Sequence, residues 1–158
     1  MTDPLAGVVV VVTRPAAQAA RFAAMAEAAG AHPLLFPTIA IEPLVLDAAA
    51  RARLAPDRYD WTVYTSANAV EHSVSQLPRP QSTRVAAVGK GTARTLQDRG
   101  IALSAMPPTT ADSEGLLELP CFADLRGQRV LILKGRGGRA LLAAEFARRG
   151  ADRSEERR

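Results

Sequence analysis

Four short segments of the sequence place hydroxyls, cations and small residues directly after apolar stretches. The segments are Thr13-Arg14-Pro15, Thr65-Ser66-Ala67-Asn68, Gly89-Lys90-Gly91-Thr92 and Gly135-Arg136-Gly137-Gly138-Arg139. None of them contains a carboxylate, a histidine or a cysteine, the side chains that acid–base or nucleophilic catalysis needs. Hydroxyls, cations and glycine backbone N–H groups are instead suited to hold a negatively charged ligand. The segments therefore predict an anion-binding site, and they indicate no catalytic residue.

Each segment stands between a strand-like stretch and a helix-like stretch. The first strand is expected at Val8–Val12, a β-branched run without polar alternation, which is typical of a strand buried on both faces. Further strands are predicted at 33–36, 61–64, 85–88, 101–106 and 130–133, with helices between them. This alternation predicts an α/β protein with a flavodoxin-like parallel sheet. Ligands bind beyond the carboxyl ends of such strands, where we expect the four segments to lie.

Two prolines divide the predicted fold into unequal parts. Pro37 and Pro43 discourage a helix, so residues 37–44 are predicted to be a linker strand. Residues 1–36 before it hold only a strand-helix-strand fragment of a first domain, whereas residues 45–151 form a near-complete flavodoxin-like second domain. The last helix should lead into another apolar strand, but residues 152–158 contain no apolar residue and predict an irregular tail. We therefore expect a fold truncated within a strand-helix unit.

Composition excludes several classes of protein. The net charge is +4, but the arginines are spread singly without aromatic neighbours, which argues against nucleic-acid binding. Cys121 has no cysteine to pair with, His32 and His72 are far apart, and neither a disulfide nor a metal site is predicted. The longest apolar run is too short to span a bilayer, so a cytoplasmic protein without a membrane segment is expected.

Three other interpretations remain open at this point. Helix capping, a common role of such residues, could be the sole role of Thr65 and Ser66. Gly135, Gly137 and Ala140 fit the glycine spacing of a dinucleotide-binding loop, but the strand with an acidic residue that should follow is missing. The segment that begins at Gly89 lacks the spacing of a Walker A loop, so a nucleoside triphosphate site is disfavoured.

Several motifs, taken together and in order, resemble the uroporphyrinogen-III synthase family. They are Val-Thr-Arg-Pro at 12–15, Tyr-Asp-Trp-Thr-Val-Tyr-Thr-Ser-Ala-Asn-Ala-Val at 59–70, Val-Ala-Ala-Val-Gly-Lys-Gly-Thr-Ala at 85–93, Ala-Asp-Ser-Glu-Gly-Leu at 111–116 and Gly-Arg-Gly-Gly-Arg at 135–139. The resemblance implies two flavodoxin-like domains and a lyase of tetrapyrrole (haem) biosynthesis. Such an enzyme cyclises hydroxymethylbilane to uroporphyrinogen III, inverting the last pyrrole ring through a spiro intermediate, and needs no cofactor.

The resemblance also implies which residues hold the linear tetrapyrrole substrate. By position, they are Thr65, Ser66, Asn68, Gly89, Thr92, Gly135 and Gly138. Thr13, Arg14 and Arg139 are added as substrate-binding candidates from their residue types after predicted strands, although Arg14 could equally be a solvated surface residue. A tyrosine that the family carries after the last helix has no counterpart here, and the returning half of the first domain is absent, so impaired activity is expected. The alternative is a non-catalytic anion-binding or regulatory module. The complete fold would be a monomer, whereas the truncated chain could associate through an exposed sheet edge.

Overall fold

The computed structural model describes residues 3–136 and 140–153, and the chain divides into two compact units. The first unit covers Met1–Pro43 and the second covers Leu44–Arg158. Within the described ranges, no helix is both long enough and apolar enough to cross a bilayer.

The first unit is a single strand-helix-strand motif. It consists of β1 (Val9–Val12), α1 (Ala16–Ala28) and β2 (His32–Leu35), and the two strands pair in parallel. Pro15 directly precedes α1, where its missing N–H costs no helical hydrogen bond. Gly30 then reverses the chain with a φ of +88°, a conformation that favours glycine at the end of a helix. The motif is thus built locally as expected.

Only one face of this two-stranded sheet is covered. The buried side chains of the unit are few and mostly small: Val12, Ala19, Ala26 and Ala31. In the ladder, Val11 lies beside Leu34, and both side chains are more than half exposed, at 51% and 54%. Phe36 is exposed as well. The unit therefore presents an apolar sheet face to its surroundings.

The second unit is a parallel sheet with helices between its strands. Its strands are β3 (Trp61–Tyr64), β4 (Arg84–Ala87), β5 (Arg129–Leu133) and β6 (Asp152–Arg153). Its helices are α2 (Ala48–Arg53), α3 (Ala67–Val74), α4 (Lys90–Asp98), α5 (Ser113–Leu117) and α6 (Leu141–Arg148), with short 3-10 turns at Pro56–Arg58 and Pro120–Phe122.

The strand order places β3 at the centre of the sheet. β4 and β5 pair with β3 on opposite sides, β6 pairs with β5, and Ala105 bridges to Ala86 of β4. All these pairings are parallel. The chain thus builds outward from β3 in one direction and then in the other, so the order switches between β3 and β5.

Side chains on the two faces of the central strand β3 pack in two separate hydrophobic cores. Trp61 and Val63 pack on one face with Phe122 and Phe146, below α5 and α6. Tyr64 packs on the opposite face in a core that includes side chains of α3 and α4. Both faces of this sheet are therefore covered, as a parallel sheet requires.

The predicted α/β class with flavodoxin-like parallel sheets is confirmed, and three local expectations need correction. Residues 101–106 form only the single bridge at Ala105 instead of a strand. The linker strand predicted at 37–44 forms no ladder, and Pro37 and Pro43 in it have no N–H to donate. The tail predicted to be irregular from 152 begins as β6, because the Asp152 N–H donates to the Gln128 carbonyl regardless of side-chain polarity. An edge strand tolerates such polar residues.

Candidate functional site

A pocket of about 430 Å³ opens where the carboxyl ends of β3 and β5 lie side by side. This is the point at which the strand order switches, the usual ligand site of an open α/β sheet. The lining residues lie at the end of β5, in the connections after strands and at or just before the starts of helices: Thr65, Ser66, Val88, Ala111, Asp112, Ser113, Ile132, Lys134, Gly135, Arg136, Leu142 and Ala143. The size is within the range of small-molecule sites.

Ser66 connects β3 to α3 and lies in the wall of this pocket. Its backbone is extended, and its hydroxyl oxygen accepts a hydrogen bond of 3.1 Å from the N–H of Ala69. Ser66 is therefore the cap of α3, as one interpretation of the sequence held. Because the oxygen only accepts in this contact, the hydroxyl proton stays available for another partner. Capping and ligand binding are thus compatible at this residue.

The segment after β5 brings positive charge to the same pocket. Lys134 is half-buried, Gly135 and Arg136 are exposed, and all three line the cavity. Thr65 lies across from this segment, and its backbone N–H and its hydroxyl both donate to the carbonyl oxygen of Leu133, at 3.1 and 3.2 Å. The arrangement can attract an anion through the two cations and the N-terminal end of α3.

A second cavity, of about 460 Å³, adjoins the first and shares Thr65 and Ser66 with it. Gly89 and Thr92, at the start of α4, line this second cavity. A β-carbon added at Gly89 would come within 3.0 Å of the β-carbon of Ala111, so the tight approach of these two backbones favours glycine. The two cavities together follow the ends of β3, β4 and β5.

Asp112 is a pocket residue that the sequence interpretation missed. Among residues 3–136 and 140–153, it is the only carboxylate that lines the first cavity. One of its oxygens accepts a hydrogen bond of 2.8 Å from the N–H of Gly115, which caps α5. The expectation that no carboxylate lies at the rim is therefore wrong, because Asp112 comes from the connection before α5 and not from a strand end. The family motif at 111–116, which contains Asp112, was an available signal in the sequence.

The structure places the predicted site residues unevenly. Thr65, Ser66, Gly89, Thr92 and Gly135 line the two adjoining cavities of the second unit. Asn68 lies in the first turn of α3 and lines neither cavity.

The remaining predicted site residues lie elsewhere. Thr13 and Arg14 belong to the first unit, where the Arg14 guanidinium lies 5.9 Å from the centroid of the Phe22 ring. Gly138 and Arg139 fall outside the described residues, so their predicted roles stay predictions.

Two side chains outside the pocket, Tyr64 and Cys121, have raised pKa values. Burial raises the pKa of Tyr64, and it also raises the pKa of the Cys121 thiol. A thiol with a raised pKa is a poor nucleophile near neutral pH. In residues 3–136 and 140–153, no group of histidine, cysteine and carboxylate side chains is arranged to hold a metal ion.

Fold and site together define an open parallel α/β protein with a cationic, hydroxyl-bearing pocket at its strand switch. The family described as "Uroporphyrinogen-III synthase HemD" matches residues 20–155 of the chain. The chain is 35% identical to uroporphyrinogen-III synthase from Synechococcus elongatus, covering 94% of this chain and 59% of that protein. It is 30% identical to the Escherichia coli uroporphyrinogen-III synthase, with 90% and 61% covered. The chain therefore belongs to the uroporphyrinogen-III synthase family.

Solved structures agree with this family assignment. A mutant uroporphyrinogen III synthase from Thermus thermophilus superposes with a TM-score of 0.64 at 25% identity, covering 92% of this chain and 59% of that one. The wild-type protein from the same organism gives a TM-score of 0.57 at 24% identity and supports the fold alone. The chain spans about three-fifths of the length of these relatives.

Proposed function

We propose that the protein acts in tetrapyrrole biosynthesis as a uroporphyrinogen-III synthase, a lyase that cyclises hydroxymethylbilane and inverts its last pyrrole ring. The observation that carries this proposal is the pocket at the ends of β3 and β5, which combines cations, a hydroxyl and a helix N-terminus in a chain of this family. Hydroxymethylbilane carries acetate and propionate carboxylates on every ring. Those groups are the ligands that such a pocket favours.

In this proposal, four pocket residues recognise different groups of the substrate. Arg136 and Lys134 attract the substrate carboxylates by charge, and the Ser66 hydroxyl donates a hydrogen bond to one of them. Asp112 would repel a carboxylate, so its role is different: it accepts hydrogen bonds from pyrrole N–H groups. A carboxylate beside the reacting end also stabilises positive charge that develops as the substrate loses its hydroxyl.

The isomer assay tests the activity directly. The purified chain is incubated with hydroxymethylbilane, and the products are separated into uroporphyrinogen III and the type I isomer that forms spontaneously. Type III product in excess of the uncatalysed background supports the proposal, and type III product formed at a rate well above that of the spontaneous type I isomer contradicts the expected impairment. If binding of hydroxymethylbilane is retained and only the type I isomer forms, the impairment is supported. No binding and no type III product would reject the function for this chain.

Matched variants test the site. Arg136→Gln should weaken binding of hydroxymethylbilane about fivefold to tenfold through loss of one charge-assisted hydrogen bond. Arg94→Gln removes the same charge from an exposed position on α4 that lines neither cavity, and it should leave the affinity nearly unchanged. Equal affinities in the two variants would show that the pocket is not the binding site.

A second variant separates capping from ligand binding at Ser66. Ser66→Asp keeps an oxygen that can cap α3, because aspartate is as good a cap as serine. It removes the donated proton and adds a negative charge to the pocket, so we expect binding to be weakened more than tenfold with little loss of stability. Unchanged affinity would limit Ser66 to its structural role.

A further inference from the structure

Thr65 makes an unusual pair of contacts at the mouth of the pocket. It follows the last residue of β3, and both its N–H and its hydroxyl donate to the carbonyl oxygen of Leu133, the last residue of β5. The regular ladder between these strands ends with Tyr64 beside Leu133. The backbone bond of Thr65 is the last hydrogen bond of that ladder, and the hydroxyl adds a second hydrogen bond to the same carbonyl, where the two strand ends meet the pocket.

The direction of the hydroxyl hydrogen bond decides what Thr65 can do for a ligand. A threonine hydroxyl has one proton, and a carbonyl oxygen can only accept, so the proton is committed to Leu133. What remains towards the pocket is acceptor capacity, and a carboxylate is an acceptor as well. While this contact stands, Thr65 cannot donate to a carboxylate, whereas the neighbouring Ser66 can.

The carbonyl that Thr65 holds belongs to the residue directly before the cationic segment. Leu133 is followed by Lys134, Gly135 and Arg136, which line the pocket. We propose that Thr65 is a positioning residue: it holds the end of β5 against the end of β3 and so sets where the segment 134–136 enters the pocket. Its effect on substrate binding rests on the proposed function, whereas its effect on the segment does not.

The first unit supplies a matched control for this proposal. Thr38 donates with both its N–H and its hydroxyl to the carbonyl oxygen of Thr13, at 3.2 and 3.3 Å. The chemistry is the same, but the contact lies between residues of the other unit. Thr38→Val therefore removes an equivalent hydroxyl hydrogen bond at a residue that is not among those lining either cavity.

The experiment compares Thr65→Val, Thr65→Ser and Thr38→Val by amide hydrogen exchange of Leu133, which lies at the end of the β3–β5 ladder, in the ligand-free protein. Valine keeps the shape and loses the donor, so exchange should accelerate about twofold to tenfold, the size expected for one hydrogen bond. Serine restores the donor and should return the rate to near that of the unchanged protein. Thr38→Val should not alter it. Thr65→Ala, which leaves space instead of an apolar methyl, serves if the valine variant does not fold.

Hydroxymethylbilane binding and turnover provide the second readout. We expect Thr65→Val to raise Kd and KM with recovery in Thr65→Ser. Weaker binding with unchanged exchange in the ligand-free protein would overturn the proposal, because it would make Thr65 a direct ligand contact. Unchanged exchange and unchanged binding would overturn it too. If the unchanged protein binds no hydroxymethylbilane, the proposed function fails, and the exchange data alone still decide the positioning role.

Discussion

The two units of this chain bury the apolar side chains of their parallel strands to different degrees. In the second unit, helices cover both faces of the sheet, and the central strand β3 is buried along its whole length. In the first unit, side chains within the two strands and directly after β2 are exposed, namely Val9, Val11, Leu34 and Phe36. The same kind of sequence, rich in valine and leucine, thus ends up buried in one unit and exposed in the other.

The difference shows that an apolar strand sequence indicates a strand suited to burial on both faces, whether or not both faces are covered. Parallel strands are apolar on both sides because helices normally lie on both sides. β1 carries that signature as clearly as β3 does, but its described surroundings supply fewer buried partners. Stability should therefore be concentrated in the second unit, and matched changes in the two units should have unequal effects.

The largest contrast is expected for phenylalanine truncation. Phe122 is fully buried, with its ring centroid 4.7 Å from that of Trp61 and 5.2 Å from that of Phe146. Phe122→Ala should lower the free energy of unfolding by about 3–5 kcal/mol, the usual result for a buried aromatic. Phe22→Ala, at a position 42% exposed in α1, should cost less than about 1 kcal/mol. Urea denaturation followed by circular dichroism measures both, and equal losses would contradict the comparison.

Amide hydrogen exchange gives the next contrast without any substitution. Ladder amides of β3 and β5 should exchange at least about a hundredfold more slowly than those of β1 and β2, a difference of roughly 2.7 kcal/mol in opening free energy. The physical reason is that the second sheet opens only when two cores are lost. Similar protection in both sheets would show that the first unit is as stable as the second.

Isosteric polar substitution probes single strand faces. Val63 is fully buried in β3, so Val63→Thr places a hydroxyl in an apolar core and should cost about 1–3 kcal/mol. Val11→Thr makes the same change at a half-exposed position in β1, where water can bond the hydroxyl. We expect a change below about 0.5 kcal/mol there. A large loss at Val11 would indicate that its exposed face is covered in solution.

The smallest effect concerns acid sensitivity in the second unit. The Asp57 carboxylate accepts hydrogen bonds from the N–H groups of Ser82, Gln81 and Thr83, and these lower its pKa below the ordinary 3.8. Because the folded-state pKa is the lower one, the stabilisation exists above the unfolded-state pKa and is lost as pH falls through the folded-state value.

The measurement is the difference in melting temperature between the unchanged protein and Asp57→Asn. This difference should be greatest near neutral pH and should shrink below about pH 4, where the unfolded state begins to take up the proton. Asp98→Asn, at the exposed end of α4, controls for the change of net charge. A difference that stays constant from pH 7 to pH 3 would contradict the assigned contacts.

Much of the fold could be predicted because strands and helices alternate clearly in the sequence. The unalternated run at β1 and the stretches predicted to be strands at 61–64, 85–88 and 130–133 all identify elements that the structure contains. The two edges of the sheet in the second unit were less predictable from the sequence. Backbone hydrogen bonding alone forms β6 from polar residues, and the apolar stretch at 101–106 pairs only at Ala105. Side-chain patterns in a sequence indicate burial. They therefore do not predict strands whose formation depends on backbone hydrogen bonds.

The site shows a similar division. Thr65, Ser66, Gly89 and Gly135 could be expected near one another because they follow neighbouring parallel strands. Asp112 could not, because its place in the wall depends on how the long connection before α5 folds back over the strand ends. The donor direction at Thr65 was also hidden, since a sequence shows that a hydroxyl is present and not which atom takes its proton.

The single tryptophan of the chain has a practical consequence for anyone who studies it. Trp61 is 2% exposed, and the Arg84 guanidinium lies 4.3 Å from the centroid of its ring. Its intrinsic fluorescence therefore reports the second unit alone, and the emission should shift to longer wavelength when that unit unfolds. The first unit contains no tryptophan and is silent in this signal. On heating, a change in far-ultraviolet ellipticity at a lower temperature than the change in tryptophan emission would therefore report unfolding of the first unit.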